Sequence, residues 1–153
     1  MVAILPVPHR RQRSKAGCLP ACVEMVLTYW QQARTQAALS RILGTDPDLG
    51  TPASRALRLR TSTLNIFYDR LSLKDVHHWL AEQVPVIALV QTAELPYWSE
   101  RCAHAVVVVG TDDTGVWVND PAFGQAPLRV PADDFMLACD AMDNYAVVIR
   151  PVP

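Results

Sequence analysis

The chain has 153 residues and a formal net charge of −1, with 50% of its residues hydrophobic and 19% charged. That length suits a single domain, 1–153, built around one sizeable core. The near-neutral charge gives no reason to expect a nucleic-acid or acidic-surface partner, and the longest apolar runs, 84–90 and 103–110, fall far short of the roughly 20 residues that span a membrane.

The N-terminus is apolar first and basic only afterwards, the reverse of a secretory signal, so a cytoplasmic protein is expected. The cysteines, Cys18, Cys22, Cys102 and Cys139, form no CxxC pair. In a reducing compartment they are expected as free thiols.

Residues 2–7 are apolar and broken by proline, which predicts a short edge strand or extended arm. The basic run His9-Arg-Arg-Gln-Arg-Ser-Lys15 follows. It reads either as a solvated loop or as a device that steers an acidic or carboxylate-bearing substrate; without interleaved aromatics it does not suit nucleic acid. Gly17 then allows a tight approach, and Pro20 fits the first turn of a helix over 19–32. Cys22, Met25, Val26 and Tyr29 continue the face that starts at Cys18. Cys18 therefore stands at the helix start, where unpaired backbone N–H groups and the positive end of the dipole favour an anion.

A second helix is predicted over 35–43, closed by Gly44, and a short one from Thr51-Pro52 to about Leu59. Residues 64–68 read as a strand. Ser72 and Asp75 form a capping-box pattern for a helix over 73–82, with Val76, Trp79 and Leu80 toward the core. Residues 85–90 read as a buried strand, and 91–103 as a longer loop carrying Tyr97 and Trp98. Strands over 104–110 and 115–120 flank a hairpin turn at 111–114. A strand over 128–130, a helix over 131–139 and a strand over 144–150 complete the chain. Helices come first and strands later, which predicts an α+β fold with N-terminal helices packed on a mostly antiparallel sheet.

Nucleophilic catalysis by a cysteine needs an imidazole within hydrogen-bond reach and a third group to orient it. Among the four histidines, His104 differs from His9, His77 and His78 because it begins a run of valines in a strand. If the hairpin turn is centred at Asp112 or on the Asp112–Asp113 bond, His104 lies opposite Asp120 or within one residue of it. Opposed residues point to the same face with Cβ atoms about 4.5–5.5 Å apart, close enough for an orienting hydrogen bond.

The order Gln12, Cys18, His104, Asp120 is accompanied by Ala21-Cys-Val-Glu-Met-Val-Leu27 after the cysteine. It also includes His104-Ala-Val-Val-Val-Val-Gly110 and Asn119-Asp-Pro-Ala-Phe-Gly124. It resembles the bacteriocin-processing peptidases, papain-like cysteine peptidase domains found fused to peptide-exporting ABC transporters or free-standing. The resemblance runs from about Val7 to Val148. It implies a papain-like fold, Cys18 as nucleophile, His104 as general base and acid, and Asp120 as orienting residue. Gln12, with a backbone amide near Cys18, would form the oxyanion hole. It also implies a peptide or protein substrate and no cofactor, and leaves open a transporter or other delivery partner. With no transporter within these residues, the chain is read as a free-standing copy.

This sequence has Gly17-Cys18-Leu19 where the family usually has Asp-Cys-Gly. Leu19 is expected to border and narrow the substrate cleft, and Tyr97 and Trp98 to form a pocket wall or lid, or merely to cover a sheet edge. Three alternatives stand beside the peptidase. A catalytically altered relative could hold peptides without cutting them, or the same triad could serve an acyltransferase or amidase. Cys18, Cys22, Cys102 and His104 could in principle bind zinc, although their spacing is not that of a zinc knuckle; no metal is expected.

Overall fold

The computed structural model describes residues 3–153. The first helix, α1 (Cys18–Tyr29), is apolar on nearly every side, and Leu19 to Val23 and Met25 to Leu27 are all buried. It is enclosed because α2 (Gln36–Leu43) crosses it and the sheet underlies it. Thr35 caps α2 by accepting from the Ala38 amide, and Gly44 closes it with φ 63°, a left-handed conformation that glycine adopts without Cβ strain. The segment predicted as a short helix up to Leu59 is a 3₁₀ helix, Ala53–Leu59.

Six strands follow: β1 (Leu64–Arg70), β2 (Val86–Gln91), β3 (Ala103–Thr111), β4 (Gly115–Asn119), β5 (Leu128–Pro131) and β6 (Tyr145–Pro151). They form one sheet in the order β1-β6-β2-β3-β4-β5. Every pairing is antiparallel, so the expected α+β architecture is the one observed. Helix α3 (Leu73–Ala81) begins at the full capping box of Ser72 and Asp75, and α4 (Ala132–Asp140) links β5 to β6. Ala105 to Gly110 in β3 are buried without interruption. A strand shows that pattern only when both faces of its sheet are covered.

Of the short edge strand and the extended arm expected over residues 2–7, the arm is what the described residues form. Val2 lies outside the described residues, and the rest is an extended arm without regular pairing. Pro6 and Pro8 remove two amide donors from any ladder. The arm is instead held at points, by the Leu5 amide on the Val109 carbonyl at 2.8 Å and by the Asn119 side chain on the Val7 carbonyl at 3.0 Å.

Candidate active site

The site begins where the arm turns into α1. Gly17 precedes the helix, and its amide donates to the Ser14 carbonyl at 3.1 Å. A Cβ at this position would lie 2.8 Å from Ser14 Oγ and 3.3 Å from the Ser14 carbonyl oxygen, so any larger residue here needs the Ser14 side chain to move aside. The first turn of α1 carries no acidic residue, which leaves the positive helix end uncompensated beside Cys18. Cys18 itself is half-buried.

His104 lies at the start of β3 and Asp120 immediately after β4. His104 Nε2 is 2.7 Å from Asp120 Oδ1, and the two residues are 6% and 0% exposed. They do not face each other directly. Val107 pairs with Asn119 and Val108 with Val118, which sets Asp120 against position 106, two residues from His104. Nearer the turn Gly110 pairs with Trp117 and Thr111 with Val116, which centres the turn on the Asp113–Thr114 bond, later than expected; a register shift between Val108 and Gly110 then adds a residue to β3 and brings Asp120 one position nearer His104. The contact is therefore diagonal, across a spacing the two side chains can bridge because alternate residues share a face.

Four donors converge on the Asp120 carboxylate. Oδ1 takes His104 Nε2 and the Ala122 amide, the latter at 2.9 Å. Oδ2 accepts from the Tyr97 hydroxyl at 2.7 Å and the Trp98 indole N–H at 2.9 Å. Burial alone would raise the Asp120 pKa, but these bonds, with the charge of His104, hold it below the ordinary carboxylate value. Burial would likewise depress His104. Hydrogen bonds to Asp120 and Cys18, and the charges of both, outweigh it and raise His104 to about 9. With Nε2 committed to Asp120, Nδ1 is the ring nitrogen left for the Cys18 sulfur.

The remaining predicted site residues fall in different places. Leu19 does not border an open cleft: it is 2% exposed and belongs to the core. It sits in the first turn of a helix enclosed by the sheet and α2, so its side chain is directed inward. Tyr97 and Trp98 turn their polar ends onto Asp120, and the Trp98 ring meets the His104 ring edge-on at 4.9 Å between centroids. Both aromatics also pack edge-on against Phe123. Gln12 Nε2 donates to the Ser14 and Lys15 carbonyls at 2.9 and 3.1 Å, while its Oε1 is buried without a hydrogen-bond partner.

The thiols differ in their surroundings. Cys22 is fully buried, and burial together with the nearby Cys18 and Asp120 charges raises its pKa. Burial pushes Cys139 up to about 12. Cys102 is exposed at the mouth of the loop after β2. Among the described residues, no group of three or more His, Cys, Asp or Glu side chains is arranged to hold a metal ion. A groove of about 720 Å³ between α3 and α4, floored by Ala88 and Ala146, contains none of Cys18, His104 and Asp120.

A family model described as the Peptidase_C39 like family matches residues 4–147. The chain belongs to the C39-like peptidase family. No curated protein matches it. A C39-like peptidase structure from Bacillus anthracis is 16% identical with a TM-score of 0.77, the match covering 100% of this chain and 98% of that one. The peptidase domain of Streptococcus ComA, a bifunctional ABC transporter involved in quorum sensing, is 17% identical with a TM-score of 0.77, over 95% and 99% of the two chains. A double-glycine-motif protease from an AMS/PCAT transporter, in complex with its leader peptide, is 20% identical with a TM-score of 0.73, over 98% and 95%. The fold is papain-like, and the chain is a cysteine peptidase by family. No helix among the described residues is long and apolar enough to cross a membrane.

What the sequence did not disclose of this C39-like peptidase is the environment of Asp120. A signal was available: a half-buried tyrosine or tryptophan needs a partner for its O–H or N–H. Tyr97 and Trp98 precede by a few residues a strand that begins beside the only buried carboxylate among the described residues.

Proposed function

We propose that this C39-like peptidase hydrolyses a peptide bond through Cys18, His104 and Asp120. The observation that carries this reading is the 2.7 Å bond from His104 to a fully buried Asp120, with Cys18 among the causes that raise the His104 pKa. An imidazole that prefers its protonated form beside the nucleophilic sulfur holds a proton ready for the leaving amine. The Cys18 sulfur attacks the substrate carbonyl carbon and the C=O electron pair moves onto oxygen. A main-chain N–H at Cys18 and the Gln12 side chain stabilise that oxyanion; Gln12 gives up one of its two carbonyl contacts to do so. His104 passes its proton to the amine nitrogen as the C–N bond breaks, leaving a thioester. Water, deprotonated by His104, then releases the acid and restores the thiol.

The neighbour crystallised with its leader peptide supports a leader-like peptide as substrate, delivered by a partner such as a transporter. Replacing Cys18 with Ala should abolish cleavage of a peptide library while leaving the thermal melt unchanged. Iodoacetamide should label Cys18 of the wild type faster than Cys22, Cys102 or Cys139, in a manner dependent on His104. Undiminished cleavage by the Cys18→Ala protein, or labelling indifferent to His104, would refute this function.

A further inference from the structure

We propose that the basic loop 10–15 is a docking site for an acidic segment of the peptide substrate, next to the scissile bond. This rests on the peptidase function above and adds the chemistry of what is cut. Four of the six residues, Arg10, Arg11, Arg13 and Lys15, are cationic in a chain whose net charge is −1. All four are exposed, and among the described residues none lies within ion-pair distance of a carboxylate. A solvated loop whose charges only aid solubility needs no fixed shape, but this one is fixed along its length.

The loop is bonded from both sides. The Gln12 amide donates to the Pro121 carbonyl at 2.8 Å. Gln36, 6% exposed, donates to the Arg11 carbonyl at 2.7 Å and accepts from the Arg13 amide at 3.0 Å. Gln36 also donates to Glu24 Oε1 at 3.0 Å, and that carboxylate forms no ion pair with the loop cations. The Arg11 guanidinium lies along the loop that follows Asp120, donating to the Ala122 carbonyl at 3.3 Å. Lys15 stands three residues before Cys18. The cations thus border the site from the nucleophile segment and from the Asp120 segment, with backbones already ordered, so little entropy opposes capture of an anionic peptide. Surface ion pairs are individually weak, but two or three together yield selectivity on the order of tenfold at low salt, and it should fade as salt shortens the range of the field.

The test is cleavage of a proteome-derived peptide library by the wild-type protein, with cut sites read by mass spectrometry. Cut sites should be enriched in Asp and Glu within a few residues, on one side of the bond. For the best acidic peptide, kcat/KM should fall on the order of tenfold when Arg10, Arg11, Arg13 and Lys15 are all changed to Gln, or when salt is raised. Changing the three arginines to Lys should retain the enrichment, and thermal melts report whether each variant is folded. Cut sites without acidic enrichment, or an enrichment unmoved by both the Gln substitutions and salt, would overturn this inference and leave the peptidase standing. Retention on phosphatidylserine-rich vesicles without acidic enrichment would overturn it too, assigning the loop to an anionic surface. No cleavage above the Cys18→Ala background would overturn both readings.

Discussion

Changing Asp120 to Asn tests the acid–base pair most directly, because it alters charge with almost no change in volume. If the Asn oxygen takes the Oδ1 position, it still accepts from His104 and the Ala122 amide. Its NH₂ group then faces the Tyr97 hydroxyl and the Trp98 indole N–H. Tyrosine can rotate its proton and accept, whereas an indole can only donate. One half-buried N–H is left unpaired, which costs about 1–3 kcal/mol of stability. The second consequence is electrostatic. The rise of His104 from 6.5 to about 9 corresponds to roughly 3 kcal/mol of preference for the imidazolium, and Asp120 supplies the largest favourable part of it. The Asn protein should therefore lose on the order of 10–100-fold in kcat/KM near neutrality. The alkaline limb of its rate profile should move from near 9 toward neutral pH. Iodoacetamide labelling of Cys18 across pH, with peptide cleavage and a thermal melt on the same samples, measures all three effects. Adding Trp98→Phe should restore part of the lost stability by removing the orphaned donor, without restoring the rate. A wild-type rate with an unmoved alkaline limb would refute the role assigned to Asp120.

Stability should itself depend on pH through the same pair. Because the folded His104 value lies above 6.5, its contribution is complete below 6.5 and is lost as pH rises through about 9. Chemical denaturation across that window should show a loss of roughly 3 kcal/mol in the wild type and a much flatter profile in Asp120→Asn; equal slopes would contradict the coupling. Leu19→Ala should cost about 2–5 kcal/mol, as for a buried leucine, in the same denaturation experiment. A loss below about 1 kcal/mol would return Leu19 to the surface of a cleft.

The elements that the sequence disclosed are those with local chemistry at their ends. Gly44 adopts the left-handed conformation that stops α2, Ser72 and Asp75 bond reciprocally at α3, and the β3–β4 turn sits where its Asp and Gly residues place it. Cys18 at a helix start was legible for the same reason, and so was the pairing of His104 with a carboxylate one strand away. The errors lie in what long-range packing decides. The turn is centred on the Asp113–Thr114 bond, later than the expected Asp112 or Asp112–Asp113 bond, and the bulge in β3, unmarked in a run of valines, makes up only part of that offset, so the diagonal register could not be read. Leu19 follows the nucleophile in sequence but is turned by helix geometry into the core. The directions of Tyr97 and Trp98 depend on the path of a loop, and a loop's path is set by what it packs against.

The place of β6 between β1 and β2 has a consequence for the order in which activity can arise. During synthesis the nucleophile helix precedes all six strands, while β6, the last of the six, is an inner one. Until residues 145–151 are inserted, β1 has no neighbour in the sheet and β2 lacks one of its two. The nucleophile is thus synthesised before the strand that completes the sheet beneath it, and a nascent fragment that stops before β6 should carry Cys18 without being able to cut its neighbours.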